Sequence, residues 1–244
     1  MRILVTRPEP DAQETARRLE ALGHEAIVSP LLTVELLPIA DVAPGGIVQA
    51  VIATSRNAAR ALAVSPVVAS LAHLPAFAVG QATADALHAL GFHGVVEGPG
   101  TASGLAGVVA ANAAPEAGRL VHFAGETMAF DLQSALETRG FRVETILAYR
   151  THRAAALTAE AQQAIAAGHI DAVILMSPAT ARRFGELAGG LVAAAHAPLL
   201  CVAISTATAE ALPQGGPFET IVSTAPNLEE ILALVNRMAA LSRP

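Results

Sequence analysis

Short runs of apolar residues alternate along this chain with longer stretches in which apolar residues recur at helical spacing. The first run covers residues 3–6, and the first helical stretch covers 9–22 and ends at Gly23. Runs of this length predict buried strands, and the longer stretches predict helices. Further strands are predicted at 26–28, 50–53, 76–79, 120–123, 142–148, 172–176, 199–204 and 220–222. Strands that alternate with helices in this way are typical of an α/β fold built on parallel sheets.

The strand and helix units of the first half of the chain recur in the second half. Three pairs of segments match: 2–23 with 119–140, 51–56 with 173–178, and 79–87 with 204–212. The second pair aligns Ser55 with Ser177, and the third aligns Thr83 with Thr208. Such self-similarity indicates two similar α/β domains. The spacing alone does not decide whether each domain combines consecutive units or units from opposite halves of the chain.

Two connecting segments, 29–38 and 145–153, are rich in residues that favour strands and poor in Gly and Ser. Paired side by side, they would form a two-stranded β-ladder between the domains, which is stiffer than a flexible linker. This composition favours the interleaved arrangement, in which one domain is discontinuous.

Composition excludes several classes of protein. The 244 residues are 53% hydrophobic and 15% charged, which indicates a compact globular chain. A net charge of −6 without a cluster of Lys or Arg argues against nucleic acid as a ligand. No apolar stretch is long enough for a signal peptide or a membrane-spanning helix, so we expect a cytoplasmic protein that does not bind membranes. The single cysteine, Cys201, lies in an apolar run and is predicted to be a buried, inert thiol.

Hydroxyl-bearing residues follow the predicted strands, at the edge where parallel α/β sheets bind ligands. Helix N-termini at this edge present free N–H groups and a positive dipole end, which suit carboxylates. Ser and Thr at such positions are also ordinary helix caps, so each residue taken alone has a structural explanation. The candidates are the hydroxyl-bearing Thr6, Thr54, Ser55, Thr83, Ser177, Ser205, Thr206 and Thr208, together with Arg7, Arg56 and Gln81 beside them.

The sequence lacks the motifs that mark several well-defined kinds of binding site and active site. A single Gly80 stands where a dinucleotide fingerprint needs three glycines, and neither a P-loop nor a Gly-x-Ser-x-Gly elbow is present. The eight His residues are dispersed without metal-ligand spacing, so we expect no cofactor and no metal.

Two further features keep two interpretations each. The only tyrosine, Tyr149, lies in the second connecting segment. It is either a packed side chain or a functional phenol that donates a proton to a leaving hydroxyl. The Gly-rich segment 94–104 is either a surface loop or a mobile lid.

Taken together, these segments resemble the uroporphyrinogen-III synthase family over nearly the whole chain. The motifs that carry the resemblance are 3–8 (ILVTRP), 19–23, 29–31 (SPL), 54–58 (TSRNA), 79–80 with 83–84, Tyr149 and 177–178 (SP).

The resemblance implies a fold of two similar parallel-sheet α/β domains joined by a two-stranded β-ladder. One domain, flavodoxin-like and discontinuous, would comprise residues 1–34 and 153–244. The other would comprise residues 38–147, with linker strands at about 29–38 and 145–153. The family holds its substrate between the two domains.

The resemblance also implies a reaction. The family cyclises and dehydrates the linear tetrapyrrole 1-hydroxymethylbilane to uroporphyrinogen III, with inversion of the terminal pyrrole ring, in haem biosynthesis. This activity is that of a hydro-lyase without a cofactor. Unaided closure gives the symmetric type I isomer, so the enzyme must position the chain ends. We expect a monomer that associates, if at all, only transiently with hydroxymethylbilane synthase.

Carried onto this sequence, the family assigns Tyr149 as the proton donor. The residues expected to bind the substrate are Thr6, Arg7, Ser55, Arg56, Thr83, Ser177, Ser205 and Thr208. The alternative function is a bilobal module that binds a small ligand or regulates a partner without turnover.

Overall fold

The computed structural model describes residues 1–42, 45–128, 130–195 and 198–241. The chain divides into two compact units. Unit 1 comprises Met1–Thr33 and His152–Pro244, and unit 2 comprises Val34–Thr151. Among the described residues, no helix combines the length and the apolar character that a membrane crossing requires.

Strands and helices alternate through most of the chain. The strands are β1 (Arg2–Val5), β2 (Glu25–Val28), β3 (Leu32–Leu36), β4 (Val48–Ala53), β5 (Ala76–Ala78), β6 (Val95–Glu97), β7 (Arg119–Gly125), β8 (Arg142–Arg153), β9 (Ala172–Leu175), β10 (Leu199–Ala203) and β11 (Phe218–Val222). The helices are α1 (Asp11–Ala21), α2 (Arg56–Ala63), α3 (Val68–Leu71), α4 (Gln81–Ala89), α5 (Ala102–Asn112), α6 (Leu132–Glu137), α7 (Ala159–Ala166), α8 (Pro178–Ala194), α9 (Thr206–Glu210) and α10 (Leu228–Leu241). A 3₁₀ turn occupies Pro115–Ala117.

Unit 1 is built on a five-stranded sheet with the order β11-β10-β9-β1-β2, in which every neighbouring pair is parallel. Leu4 of β1 packs on one face with residues of α7 and α8, whereas Ile3 and Val5 pack on the other face with α1 and α10. Because both faces are covered, the central strands are apolar throughout, and this is why they stand out in the sequence.

Unit 2 is built on a six-stranded sheet with the order β3-β8-β7-β4-β5-β6. The pairs from β8 through to β6 are parallel, so their carboxyl ends lie at one edge. Val51 and Ala53 pack with α2 and α4 on one face, and Ile52 packs with α5 and α6 on the other. This layering leaves the edge at the carboxyl ends, where α2, α4 and α5 begin, as the place for a site.

The predicted α/β class with parallel sheets is confirmed. The open question about the repeated units is answered by strand pairing. β1 pairs with β9, from the other half of the chain, and β4 pairs with β7. The chain passes from one unit to the other twice, once within β3 and once within β8, and these two strands are neighbours in one sheet.

The Gly-rich segment 94–104, predicted as either a surface loop or a mobile lid, includes regular secondary structure. It contains β6, which pairs in parallel with β5, and the first residues of α5. Only residues 98–101 connect the two elements. A three-residue edge strand between glycines leaves too short an apolar run to be recognised in the sequence.

Cys201 is fully buried in β10, as predicted, and burial raises the pKa of its thiol to about 12. The thiolate is the reactive form, so the folded protein is expected to resist iodoacetamide at pH 8. Intact-mass spectrometry should show no adduct in buffer and one adduct in guanidinium chloride. Equal labelling rates in the two conditions would contradict this burial.

Candidate active site

A cavity of about 550 Å³ lies at the carboxyl edge of the sheet of unit 2. Its walls come from β7 and β8 and from the segments that follow β4, β5, β6 and β7. The residues that line it are Thr54, Val79, Gly100, Thr101, Ala102, Ser103, His122, Gly125, Thr127, Met128, Phe130 and Tyr149. Pockets of this size are typical of sites for small molecules.

Among the described helices that begin at this edge, three have an N-cap residue in extended backbone conformation. Ser55 caps α2, Gly80 caps α4 and Thr101 caps α5. The Ser55 and Thr101 side chains each accept one backbone N–H, from Ala58 and Gly104. The remaining N–H groups of the first turns and the positive ends of the helix dipoles favour an anionic ligand here.

Tyr149 brings a phenol to the cavity from β8. The Ser55 Oγ donates a hydrogen bond to the Tyr149 hydroxyl oxygen over 2.9 Å. Because the phenol is the acceptor in this bond, its own proton is left to donate to a ligand. The Ser55–Tyr149 pair therefore points a proton donor into the cavity.

A register shift between β7 and β8 sets the position of Tyr149. Ala124 pairs with Leu147, but the next residue, Gly125, pairs with Tyr149, which leaves Ala148 as an extra residue in β8. Such a bulge changes the direction of the side chains beyond it. The Glu126 N–H then donates to the Tyr149 carbonyl over 3.1 Å and holds the strand in this register.

Gly125 lies directly against the Tyr149 ring. A Cβ added to Gly125 would lie 2.6 Å from Cζ, 2.7 Å from Cε2 and 2.8 Å from the hydroxyl oxygen of Tyr149. Real Cβ atoms essentially never approach so closely. A residue without a side chain is therefore required here for the phenol to reach its position.

His122 lies on β7, one of the two central strands of its sheet, and is buried, with 1% of its surface exposed. Its Nε2 is 3.2 Å from the Thr54 Oγ1. Burial lowers the pKa of His122 to about 4, so the ring is neutral at pH 7. At this point the cavity is therefore lined by an uncharged imidazole and a hydroxyl, neither of which is a cation at pH 7.

The segment 98–101 forms one wall of the cavity. The Gly98 N–H donates to the Ala78 carbonyl over 2.8 Å, and the Gly100 N–H donates to the Val79 carbonyl over 2.7 Å. A Cβ on Gly98 would lie 2.8 Å from the Leu105 Cδ1 and 3.0 Å from the Ala78 oxygen. These contacts fix the segment against the end of β5, which favours a fixed wall over a lid.

Apolar side chains lie at the cavity's rim beside charged ones. Met128 and Phe130 line the cavity and are exposed. Nearby, Arg150 pairs with Glu126 over 3.1 Å at the surface. The rim can therefore contact an apolar ring system while polar groups face the interior.

The candidate residues of unit 2 differ in their environments. Ser55 contacts Tyr149, as described, and Arg56 is the half-buried first residue of α2. Thr83 lies in the first turn of α4, where its side chain is buried. Of the candidates named from the sequence, Thr54 and Tyr149 line the cavity directly.

The candidate hydroxyls of unit 1 are mainly caps. Ser177 caps α8 by accepting the Thr180 N–H over 3.1 Å, and Ser205 caps α9 by accepting the Thr208 N–H over 3.3 Å. Thr208 is fully buried, and its hydroxyl lies 3.0 Å from the Ser205 Oγ. The alignment of Ser55 with Ser177 thus places a capping serine after a strand in both units.

Thr6 and Arg7 are buried inside unit 1. The Thr6 hydroxyl donates to the Ile174 carbonyl over 2.8 Å. The Arg7 guanidinium donates to the Thr15 hydroxyl over 2.9 Å and lies 3.3 Å from the Asp11 carboxylate. These contacts account for both residues without a ligand.

The sequence did not single out several residues that line the cavity. They include His122, Gly125, Thr127, Met128 and Phe130. The pairing register of β7 with β8 is the signal that would have identified Gly125, and it is visible only in the fold. Within the described ranges, no three His, Cys, Asp or Glu side chains converge as a metal site.

Comparison with known proteins points to one family. The family model described as uroporphyrinogen-III synthase HemD matches residues 13–233. No curated protein matched the chain. The uroporphyrinogen-III synthetase of Helicobacter pylori has a TM-score of 0.62 at 18% identity, over 98% of this chain and 100% of that one. A mutant uroporphyrinogen III synthase of Thermus thermophilus has a TM-score of 0.59 at 20% identity, over 99% of this chain and 100% of that one. These two structures share the fold of this chain.

Proposed function

The chain belongs to the uroporphyrinogen-III synthase family, and from this premise we propose how its residues act on the substrate. Its activity is that of a lyase in porphyrin and haem biosynthesis. The family acts on hydroxymethylbilane. We assign the cavity of unit 2 to the end of this substrate from which the hydroxyl leaves. The observation that carries the assignment is the Tyr149 phenol in that cavity, which accepts its hydrogen bond from Ser55.

Tyr149 is the proposed general acid. It donates its proton to the terminal hydroxyl, the C–O bond breaks with its electron pair on oxygen, and water leaves. The substituted α-carbon of the terminal pyrrole ring attacks the methylene carbon of the azafulvene that remains, which gives a spiro intermediate. The bond from this α-carbon to its former bridging methylene then breaks, and the ring's other α-carbon attacks the freed methylene, so the ring is inverted. That second α-carbon loses its proton when the ring regains aromaticity, and the proton can restore the phenol. Overall, the substrate loses one water.

Positioning is the larger part of the proposed catalysis, because unaided closure yields the symmetric isomer. The substrate's carboxylates suit the N-termini of α2, α4 and α5, because N–H groups and helix dipoles can bind a carboxylate without a cation. Arg56 adds positive charge at the start of α2. The apolar rim of Met128 and Phe130 suits the faces of pyrrole rings.

Further contacts with the substrate remain proposals. They are assigned to Thr83 in unit 2 and to Ser177, Ser205 and Thr208 in unit 1. Thr6 and Arg7 would act indirectly, by supporting the start of α1. We also propose a cytoplasmic monomer that works without a cofactor and receives its unstable substrate from hydroxymethylbilane synthase, by transient association.

A coupled assay tests the function. Hydroxymethylbilane is generated from porphobilinogen by hydroxymethylbilane synthase, this protein is added, and the oxidised uroporphyrin isomers are separated by chromatography. The expected result is a shift from type I to type III. Type I alone, from protein shown to be folded, would instead support a module that binds without turnover.

A further inference from the structure

His122 and Thr54 form a polar pair at the cavity that the reaction described above does not use. Both line the cavity, and the His122 Nε2 lies 3.2 Å from the Thr54 Oγ1. His122 comes from β7, and Thr54 immediately follows the neighbouring strand β4. The pair therefore rests on the two central strands of the unit 2 sheet and has little freedom to move.

The hydrogen-bond partners of His122 decide which ring nitrogen holds the proton. Within the part of the chain that the structure describes, the buried Nδ1 has no hydrogen-bond partner. A buried N–H without an acceptor is rarer in proteins than a buried acceptor without a donor. A neutral imidazole has one proton, and we therefore assign it to Nε2, which in this tautomer donates to the Thr54 Oγ1. Because burial lowers the pKa of His122 to about 4, this neutral form is the one present at pH 7.

The orientation of the Thr54 hydroxyl follows from this tautomer. Its oxygen accepts from His122, so its own O–H proton is directed elsewhere. No other hydrogen bond of this hydroxyl is found within the described residues. Since Thr54 lines the cavity, the O–H can donate to a ligand there.

We propose that His122 is a positioning residue that fixes Thr54 as a hydrogen-bond donor to a carboxylate of the substrate. The proposal rests on the function assigned above and adds a specificity contact to it. A neutral donor pair suits this place because it binds an anion without burying a permanent cation, whose desolvation is costly.

Substitutions separate this role from a structural one. Thr54→Val removes the donor and is expected to raise KM about tenfold with little change in kcat, because a contact present in both ground and transition states is lost. His122→Leu should raise KM in the same direction. Because both changes remove one contact, the double variant should be no worse than Thr54→Val alone. His122→Gln, which keeps an N–H donor, should recover part of the loss.

Thr145→Val is the matched control. Thr145 lies on β8 and is the register partner of His122. Its buried hydroxyl also has no hydrogen-bond partner within the described ranges. Thr145 does not line the cavity. Its loss should leave KM unchanged. Multiplicative effects of Thr54→Val and His122→Leu would overturn the proposal, as would an equal rise in KM in Thr145→Val.

A measurement without substrate keeps this test apart from that of the function itself. Nitrogen-15 NMR of the wild-type protein should show a protonated Nε2, an unprotonated Nδ1, and no titration of His122 between pH 8 and 5.5. A proton on Nδ1, or titration near pH 6.5, would overturn the proposal even if the wild type makes type III. Failure to make type III, with the Nε2 tautomer present, would count against the function alone.

Discussion

Replacement of Tyr149 by phenylalanine is expected to lower the kcat for uroporphyrinogen III by about a hundredfold, the usual contribution of a positioned general acid. The phenol lines the cavity and receives a hydrogen bond from Ser55, so the lost atom is the one that would protonate the leaving hydroxyl. Hydroxymethylbilane that is not converted closes unaided, and the product should therefore shift towards type I. Initial rates and the isomer ratio in the coupled assay measure both effects.

The fold of this variant should remain intact. The Tyr149 ring packs against the cluster around Val51 and Phe123, and phenylalanine preserves that packing. One hydrogen bond is lost, so the free energy of unfolding should fall by about 1 kcal/mol. Thermal unfolding followed by circular dichroism provides the check. Wild-type turnover in a folded Tyr149→Phe variant would remove the phenol from the mechanism.

Ser55→Ala distinguishes two roles of this serine. It removes the cap of α2 as well as the bond to Tyr149. Thr158→Ala is a suitable control, because Thr158 caps α7 by accepting the Ala161 N–H and does not line the cavity. Both variants should lose about 1 kcal/mol of stability. If kcat falls in Ser55→Ala but not in Thr158→Ala, the loss of kcat is therefore assigned to the contact between Ser55 and Tyr149.

The fold was readable from the sequence where strands are buried on both faces. The run at 173–175, for example, is apolar throughout because β9 lies in the centre of its sheet between two helical layers. The repeat indicated two similar domains, but only the pairing of β1 with β9 shows which units fold together. β6 was missed because a short edge strand between glycines has no pattern of its own.

The site was readable only in part, for a different reason. The rule that ligands bind beyond the carboxyl ends of parallel strands identified the edge to which Thr54 and Ser55 belong. It does not tell which hydroxyls turn inward, and Thr6 proved to be fully buried with its hydroxyl bonded to Ile174. His122 was not recognisable, since its role depends on a neighbour from another strand.

Gly125 is the residue at which the fold and the proposed chemistry depend on each other most directly. Gly125→Ala is expected to lower kcat at least as much as Tyr149→Phe, because the new methyl group would lie within 2.8 Å of three atoms of the phenol. The β7–β8 register is held by the bond from the Glu126 N–H to the Tyr149 carbonyl, so the side chain must give way. The displaced phenol would lose its hydrogen bond with Ser55 and would no longer line the cavity.

The same overlap should destabilise the protein by about 1 to 3 kcal/mol, the usual cost of overpacking. Gly107→Ala is the matched control, because Gly107 is exposed on α5 and an added Cβ meets nothing within 4 Å. That change should leave activity unaltered and raise stability by up to about 1 kcal/mol, since alanine favours helix. Stability from urea unfolding and rates from the coupled assay compare the two variants.

A double variant shows whether the ring itself causes the effect. If the methyl group acts by colliding with the phenol, Gly125→Ala should cost much less stability in a Tyr149→Ala background, where the ring is absent. Its effect on kcat should also disappear there, because the proton donor has already been removed. An equal loss of stability in both backgrounds would instead place the strain in the backbone of β7. In that case Gly125 would be required by the backbone of β7, and the bulge at Ala148 alone would set the position of Tyr149.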